Sequence, residues 1–176
     1  MARYVALLRA INVGGTGKLP MAVLRSMCVA AGFTDVQTYI ASGNVVFTST
    51  GRAESVKAKL EARLRNNAGK PIGVIVRTAN EMADILKANP FRTTDPKTTY
   101  VVFLNAAPAD NPLETATGRV DEQMRLGRRE IYIYYPHGMG RSKLRVPSAK
   151  TGTARNLNTV AALVKLAYGE QQKPSS

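Results

Sequence analysis

Between Tyr4 and Cys28 the sequence YVALLRAINVGGTGKLPMAVLRSMC passes from an apolar strand-like run, through a glycine-rich loop, into an amphipathic helix. The rest of the fold is expected to organise around that turn. Ala2 to Arg9 has Val5, Leu7 and Leu8 and no Gly or Pro, as a buried strand requires. Pro20 suits a first helical turn, where its missing N–H has no partner to lose. Met21, Leu24, Cys28 and Ala31 then recur at helical steps, and Gly32 stands where a cap is needed. Cys28 falls on the inward stripe, which marks it as core packing rather than a reactive thiol.

The next segments repeat the alternation. Val36 to Ala41 and Asn44 to Thr48 read as strands around a Ser42-Gly43 turn. Arg52 to Asn66 is helical, with Ala53, Val56, Leu60 and Leu64 on one stripe, and Ile72 to Arg77 is a strand. The order strand, helix, strand, strand, helix, strand is the split unit of ferredoxin-like folds. Thr78 and Glu81 have capping-box spacing for a short helix through Met82, Ile85 and Leu86 that ends before Pro90.

Past the turn-rich stretch from Phe91 to Lys97, Thr99 to Leu104 is an apolar strand. Asn105 to Gly118 is a connection with one helical turn near Glu114, and Asp121–Leu126 and Glu130–Tyr135 form a hairpin about Gly127. Ile131, Ile133 and Tyr135 share one face of it; Tyr132 and Tyr134 share the other, and if exposed they could stack nucleobases. The chain then turns basic and is expected to be flexible up to Asn156. Thr153 caps a last helix whose stripe is Leu157, Val160, Ala161, Val164 and Tyr168. The expected class is α+β. A ferredoxin-like part (βαββαβ) spans residues 1–90, a second, smaller α+β part spans 91–168, and 169–176 form a flexible tail.

Composition narrows the chemistry. The 176 residues contain one cysteine and one histidine, so an intramolecular disulfide and cysteine-rich or histidine-rich metal sites are excluded, and no cofactor is called for. No stretch has the length of a transmembrane helix and no leader pattern opens the chain, so a cytoplasmic protein is expected. The net charge is +13, with a pI of about 10.2. Such a field favours polyanionic partners, although a solvated basic surface accounts for it equally well.

The loop Asn12-Val13-Gly14-Gly15-Thr16-Gly17-Lys18 resembles a phosphate cradle but completes neither fingerprint. A Walker loop needs Gly at Asn12 and Ser or Thr at Leu19, and a dinucleotide loop needs Gly at Pro20. What remains is an anion nest with Lys18, or a tight turn. The densest positive region lies further on: from Arg119 to Arg155 Lys and Arg outnumber Asp and Glu nine to three. There Arg141, Lys143, Lys150 and Arg155 could clamp a phosphate or carboxylate. Asn156 either satisfies loop carbonyls or faces a ligand beside Arg155. Ser142 beside Lys143, and Ser42 in its turn, are the nearest approaches to a nucleophile, and the scattered carboxylates define no acid/base pair.

YVALLRAINVGG, TYIASGNVVF, IYIYYPHGMGRSKL and GTARNLNTV, in that order, resemble a bacterial family known as a domain of unknown function, number sixteen ninety-seven. The likeness runs from about Tyr4 to Tyr168. It implies an α+β architecture with a ferredoxin-like first part, and no activity. The family's motif positions correspond to Arg9, Asn12, Gly14, Gly15, Ser42, Gly43, Asn44, Ser142, Lys143, Arg155, Asn156 and Thr159.

The leading expectation is a binder of an anionic, phosphate-bearing ligand, nucleic acid or nucleotide, in which the first loop, the hairpin turn and the Ser142-Lys143 segment converge. Arg9, Asn12, Gly14, Gly15, Lys18, Ser42, Asn44, Arg141, Ser142, Lys143, Arg155 and Asn156 are the candidate contacts. The alternatives are an enzyme on a small anionic substrate, with Arg9, Lys143 or Arg155 stabilising charge, and an interaction module. As to oligomeric state, monomer and homodimer both stay open.

Overall fold

The computed structural model describes residues 1–9 and 19–169. The chain forms two compact units, one of Met1–Ala83 with the chain from Ala162 on, the other of Asp84–Ala161.

In the first unit β1 (Ala2–Leu8), β2 (Thr34–Tyr39), β3 (Asn44–Ser49) and β4 (Val74–Thr78) form an antiparallel sheet in the order β2-β3-β1-β4. With α1 (Met21–Ala30) after β1 and α2 (Ala53–Ala68) after β3, this is the ferredoxin-like βαββαβ order. Tyr4 pairs with Phe47 and Ala6 with Val45, while Leu8 pairs with Val74, so alternate residues of the strands share one face. On that face Leu24 and Cys28 of α1 and Val56, Leu60 and Leu64 of α2 close a core in which the Phe33 and Phe47 rings stack at 4.3 Å. The burial of Cys28 pushes its thiol up to about 12, so it is neutral packing.

β2 ends two residues earlier than its apolar pattern predicts. Ile40 takes φ +46° and Gly43 φ +81°, which ends the pairing and makes the turn four residues, Ile40 to Gly43. Helix α3 (Ala79–Lys87) carries the capping box in full. Glu81 N–H donates to Thr78 Oγ1 at 3.1 Å, and Thr78 N–H donates to Glu81 Oε1 at 3.0 Å.

The second unit holds β5 (Thr99–Phe103), the one-turn α4 (Pro112–Thr115), β6 (Gln123–Leu126), β7 (Glu130–Tyr134) and β8 (Thr153–Asn156). Its sheet order, β6-β7-β5-β8, repeats that of the first unit strand for strand. What differs is the cover. Where α1 and α2 pack on the first sheet, Val102, Met124, Ile131 and Ile133 here pack under Ala116, Leu144, Val146 and Ala149 from irregular segments.

Four expectations for this half are corrected. The basic stretch is not a featureless flexible loop, because it contains 3₁₀ turns at Met139–Arg141 and Pro147–Thr151 and then β8. Thr153 opens that strand instead of capping a helix. The N-terminus of α5 (Leu157–Ala167) is capped by Asn156, whose Oδ1 accepts from Thr159 N–H at 3.0 Å. The inward stripe of α5 is Leu157, Val160, Leu163 and Ala167, and Tyr168 is exposed. Tyr132 is buried at 2% exposure and donates to Ile85 O at 2.6 Å, so it offers no stacking surface.

Candidate functional site

The site is built from two stretches of that irregular cover, 117–122 and 141–145. Thr117 and Arg145 exchange backbone hydrogen bonds of 2.9 and 2.8 Å, which sets the two stretches side by side and antiparallel. Gly118 permits it. Its φ is +72°, and a Cβ there would lie 2.2 Å from Lys143 O, so no other residue lets the backbones approach this closely.

Glu122 ties the stretches together. Although only 4% exposed, it accepts from Ser142 Oγ at 2.7 Å through Oε1 and from Val120 N–H at 2.7 Å through Oε2. The Arg119 Nε–H donates to its carbonyl at 2.7 Å. The hydrogen bonds from Val120 and Ser142 hold the carboxyl below the usual carboxylate range, so Glu122 is an anion at neutral pH. Ser142 Oγ also accepts from Leu144 N–H at 3.1 Å.

A cleft of about 270 Å³ opens between these stretches and the 135–138 turn, lined among others by Val120, Tyr135, Pro136, Arg141 and Lys143. At its mouth His137 Nε2 lies 2.7 Å from Asp121 Oδ2, both exposed. Burial, with the nearby Tyr100 and Glu122, pushes the Tyr135 phenol up to about 12, so it stays neutral.

Burial sharpens the charge balance seen in the sequence. Within 117–152, Arg119, Arg125, Arg128, Arg141, Lys143, Arg145 and Lys150 are exposed; of the carboxylates only Asp121 is, since Glu122 and Glu130 are buried. Arg141 and Lys143 make no side-chain hydrogen bond or ion pair among the described residues.

The sequence-derived candidates divide between the units. Arg141, Ser142 and Lys143 come together in the cleft. Arg9, Ser42 and Asn44 lie in the first unit, so the segments expected to converge do not all belong to one unit. Arg9 donates its N–H to Gly73 O and lays its side chain against Gly73. Asn44 is fully buried and braces its turn, donating to Tyr39 O at 3.0 Å and Ser42 Oγ at 2.8 Å. Asn12, Gly14, Gly15 and Lys18 fall outside the described residues. Arg155 is 7% exposed and not in the cleft; it donates to Thr153 Oγ1 and Ala154 O, and burial lowers its guanidinium to about 10. Asn156 is spent on the α5 cap.

Glu122, Asp121 and Tyr135 were missed as site residues. The signal in the sequence was an adjacent acidic pair at the edge of an otherwise basic stretch, which a charge count absorbs without locating it.

Chemically, the Ser142–Glu122 contact is a poor start for nucleophilic catalysis. A carboxylate held low is a weak base, and the hydroxyl is occupied on both sides. Among the described residues no group of three or more His, Cys, Asp or Glu side chains could hold a metal ion. No helix among them is long and apolar enough to cross a membrane. The arrangement is suited to presenting free cations beside a small cleft.

A family model described as protein of unknown function (DUF1697) matches residues 1–132. The structure of a conserved bacterial protein from Streptococcus pneumoniae is similar to this one, with 24% identity and a TM-score of 0.78 over 94% of this chain and 98% of that chain, a likeness of fold. No curated protein matches the sequence.

Proposed function

The chain belongs to the DUF1697 family of proteins of unknown function, and from the basic ledge of its second unit we propose that it binds an anionic, phosphate-bearing ligand, nucleic acid or nucleotide. One observation carries the reading. The antiparallel stretches 117–122 and 141–145 place Arg119, Arg141, Lys143 and Arg145 together, while the carboxylate between them, Glu122, is turned inward and hydrogen-bonded. Phosphates met by Arg and Lys side chains that have no carboxylate partner release counterions, and that release drives binding without base contacts. The net charge of +13 adds long-range attraction of the same sign.

Catalysis on a small anion finds less support, because the one serine in the cleft faces a carboxylate that gives up its proton too readily to act as a base.

Binding of a short single strand at several salt concentrations tests the proposal. Affinity is expected to fall linearly on a log–log plot, at about 0.7 per phosphate contacted. Replacing both Arg141 and Lys143 by Ala removes two contacts and flattens the slope by roughly 1.4. Binding that ignores salt, or a slope that the double variant leaves unchanged, rules the ledge out.

A further inference from the structure

From Arg141 to Val146 burial alternates residue by residue. Arg141, Lys143 and Arg145 are exposed, whereas Ser142, Leu144 and Val146 are half-buried. Each inward residue is held there: Ser142 Oγ donates to Glu122 Oε1 at 2.7 Å, and Leu144 and Val146 pack against the core of the second sheet. The backbone is extended at Ser142 (φ −77°, ψ 140°) and at Val146 (φ −117°, ψ 103°), and Arg145 pairs with Thr117 through both its N–H and its C=O. The three cations therefore form a row on one side of an extended segment. None of them makes a side-chain hydrogen bond or ion pair among the described residues.

The spacing of that row selects a polymer. Alternate residues of an extended chain repeat at about 6.6 Å. Successive phosphates of one nucleic-acid backbone stand roughly 6–7 Å apart, and it is this backbone that a single-strand groove follows.

The surface beside the row selects an unpaired strand. Val120, 85% exposed, and Pro136 line the cleft together with Arg141 and Lys143, and they offer apolar wall to the face of a base. A duplex turns its bases inward on each other and leaves such a wall unused. Both oxygens of Glu122 are taken, and the exposed Asp121 lies 2.7 Å from His137 Nε2, so the cleft has no paired acceptors with which to read a base edge.

Resting on the phosphate-ligand reading above, we propose that Arg141, Lys143 and Arg145 form a track for three successive phosphates of a single-stranded nucleic acid, one cation to each, and that the cleft beside it takes an unpaired base whatever its identity.

The test is calorimetric titration of the full chain with oligothymidylates of two to eight nucleotides that lack terminal phosphates. Affinity is expected to rise steeply from one phosphate to three, that is, up to the tetranucleotide. Beyond that the gain is statistical, about fivefold at the octanucleotide, whose seven phosphates offer five registers on a three-phosphate track. The salt slope of the tetranucleotide should be about 2, from about 0.7 per phosphate. Lys143→Ala should lower it to about 1.4, and K143A/A62K, which restores the net charge from an exposed position on α2 of the other unit, should not recover it. A mixed twelve-nucleotide strand should bind more tightly than its duplex. A dinucleotide that binds as tightly as the tetranucleotide overturns the track, leaving a single-phosphate site and the anionic-ligand reading standing. K143A/A62K that binds like the native chain also overturns it, because overall charge and not the row then supplies the attraction. A duplex that binds as tightly as its single strand overturns the choice of partner. If no oligonucleotide binds, the phosphate-ligand reading falls together with the track.

Discussion

Glu122 shows how much one buried carboxylate decides at the scale of the residue. Its two oxygens join the 117–122 and 141–145 stretches, so the ledge's geometry depends on its charge state. Its folded pKa is held below the ordinary value by Val120 N–H and Ser142 Oγ. The stability this gives is therefore complete above the unfolded value, about 4.3, and is lost as pH falls through the folded one. Glu122→Gln should abolish that component. In urea titrations at pH 7 and pH 3 the native protein should lose more stability on acidification than the variant does; equal losses would show that the hydrogen bonds do not depend on charge. Residue-level roles were the least legible part of the sequence. The charge of Arg155 is visible in the sequence and suggests a clamp, but its position in a sheet, with Thr153 and Ala154 as partners, is fixed by pairing with a strand more than fifty residues away. Tyr132 was assigned correctly to the face opposite Ile131 and Ile133, yet alternation says only which face, and here both faces are buried.

Elements were legible where the local signal and the tertiary demand agree. The helical stripes of α1 and α2 and the box at Thr78 to Glu81 each carry their own chemistry and stand where the sequence puts them, while the turn at Ser42-Gly43 is present but widened to Ile40–Gly43. The box makes a sharp case because both of its hydrogen bonds form. Thr78→Ala removes the acceptor for Glu81 N–H and should cost about 1 kcal/mol in chemical denaturation. Glu81→Gln keeps an acceptor for Thr78 N–H and should cost markedly less than Glu81→Ala. If Gln and Ala are equally damaging, the back-bond from Thr78 N–H contributes nothing. Elements failed to show where the sheet alone creates them. Of the four residues of β8, Thr-Ala-Arg-Asn, only Thr153 favours a strand, and register with β5 holds the segment extended.

Over the whole molecule, two sheets share one strand order while differing in what covers them. That repetition left no trace in the sequence because it lies in hydrogen-bond topology; helical periodicity covers the first sheet and irregular segments cover the second. The units are also not consecutive in the chain. A single boundary near residue 90 was expected, whereas the first unit runs to Ala83 and resumes at Ala162, so α5 begins in one unit and ends in the other. Leu163 is fully buried and Ala167 nearly so on the returning half, and Tyr168 Oη reaches Asn80 Oδ1 at 2.5 Å. Fully burying one leucine is worth about 1.5–3 kcal/mol, a large share of the roughly 5–15 kcal/mol that keeps a domain folded. A fragment of residues 1–90 should therefore be less stable than the same unit in the full chain, even though it contains every strand of its sheet. Hydrogen exchange of the β1 and β4 amides in both proteins measures this directly, and Leu163→Ala in the full chain should accelerate the same amides, its cost being about 2–5 kcal/mol. Should the fragment protect β1 and β4 as well as the full chain does, the returning helix is not part of the first unit's core, and the division near residue 90 is the better account of how this chain folds.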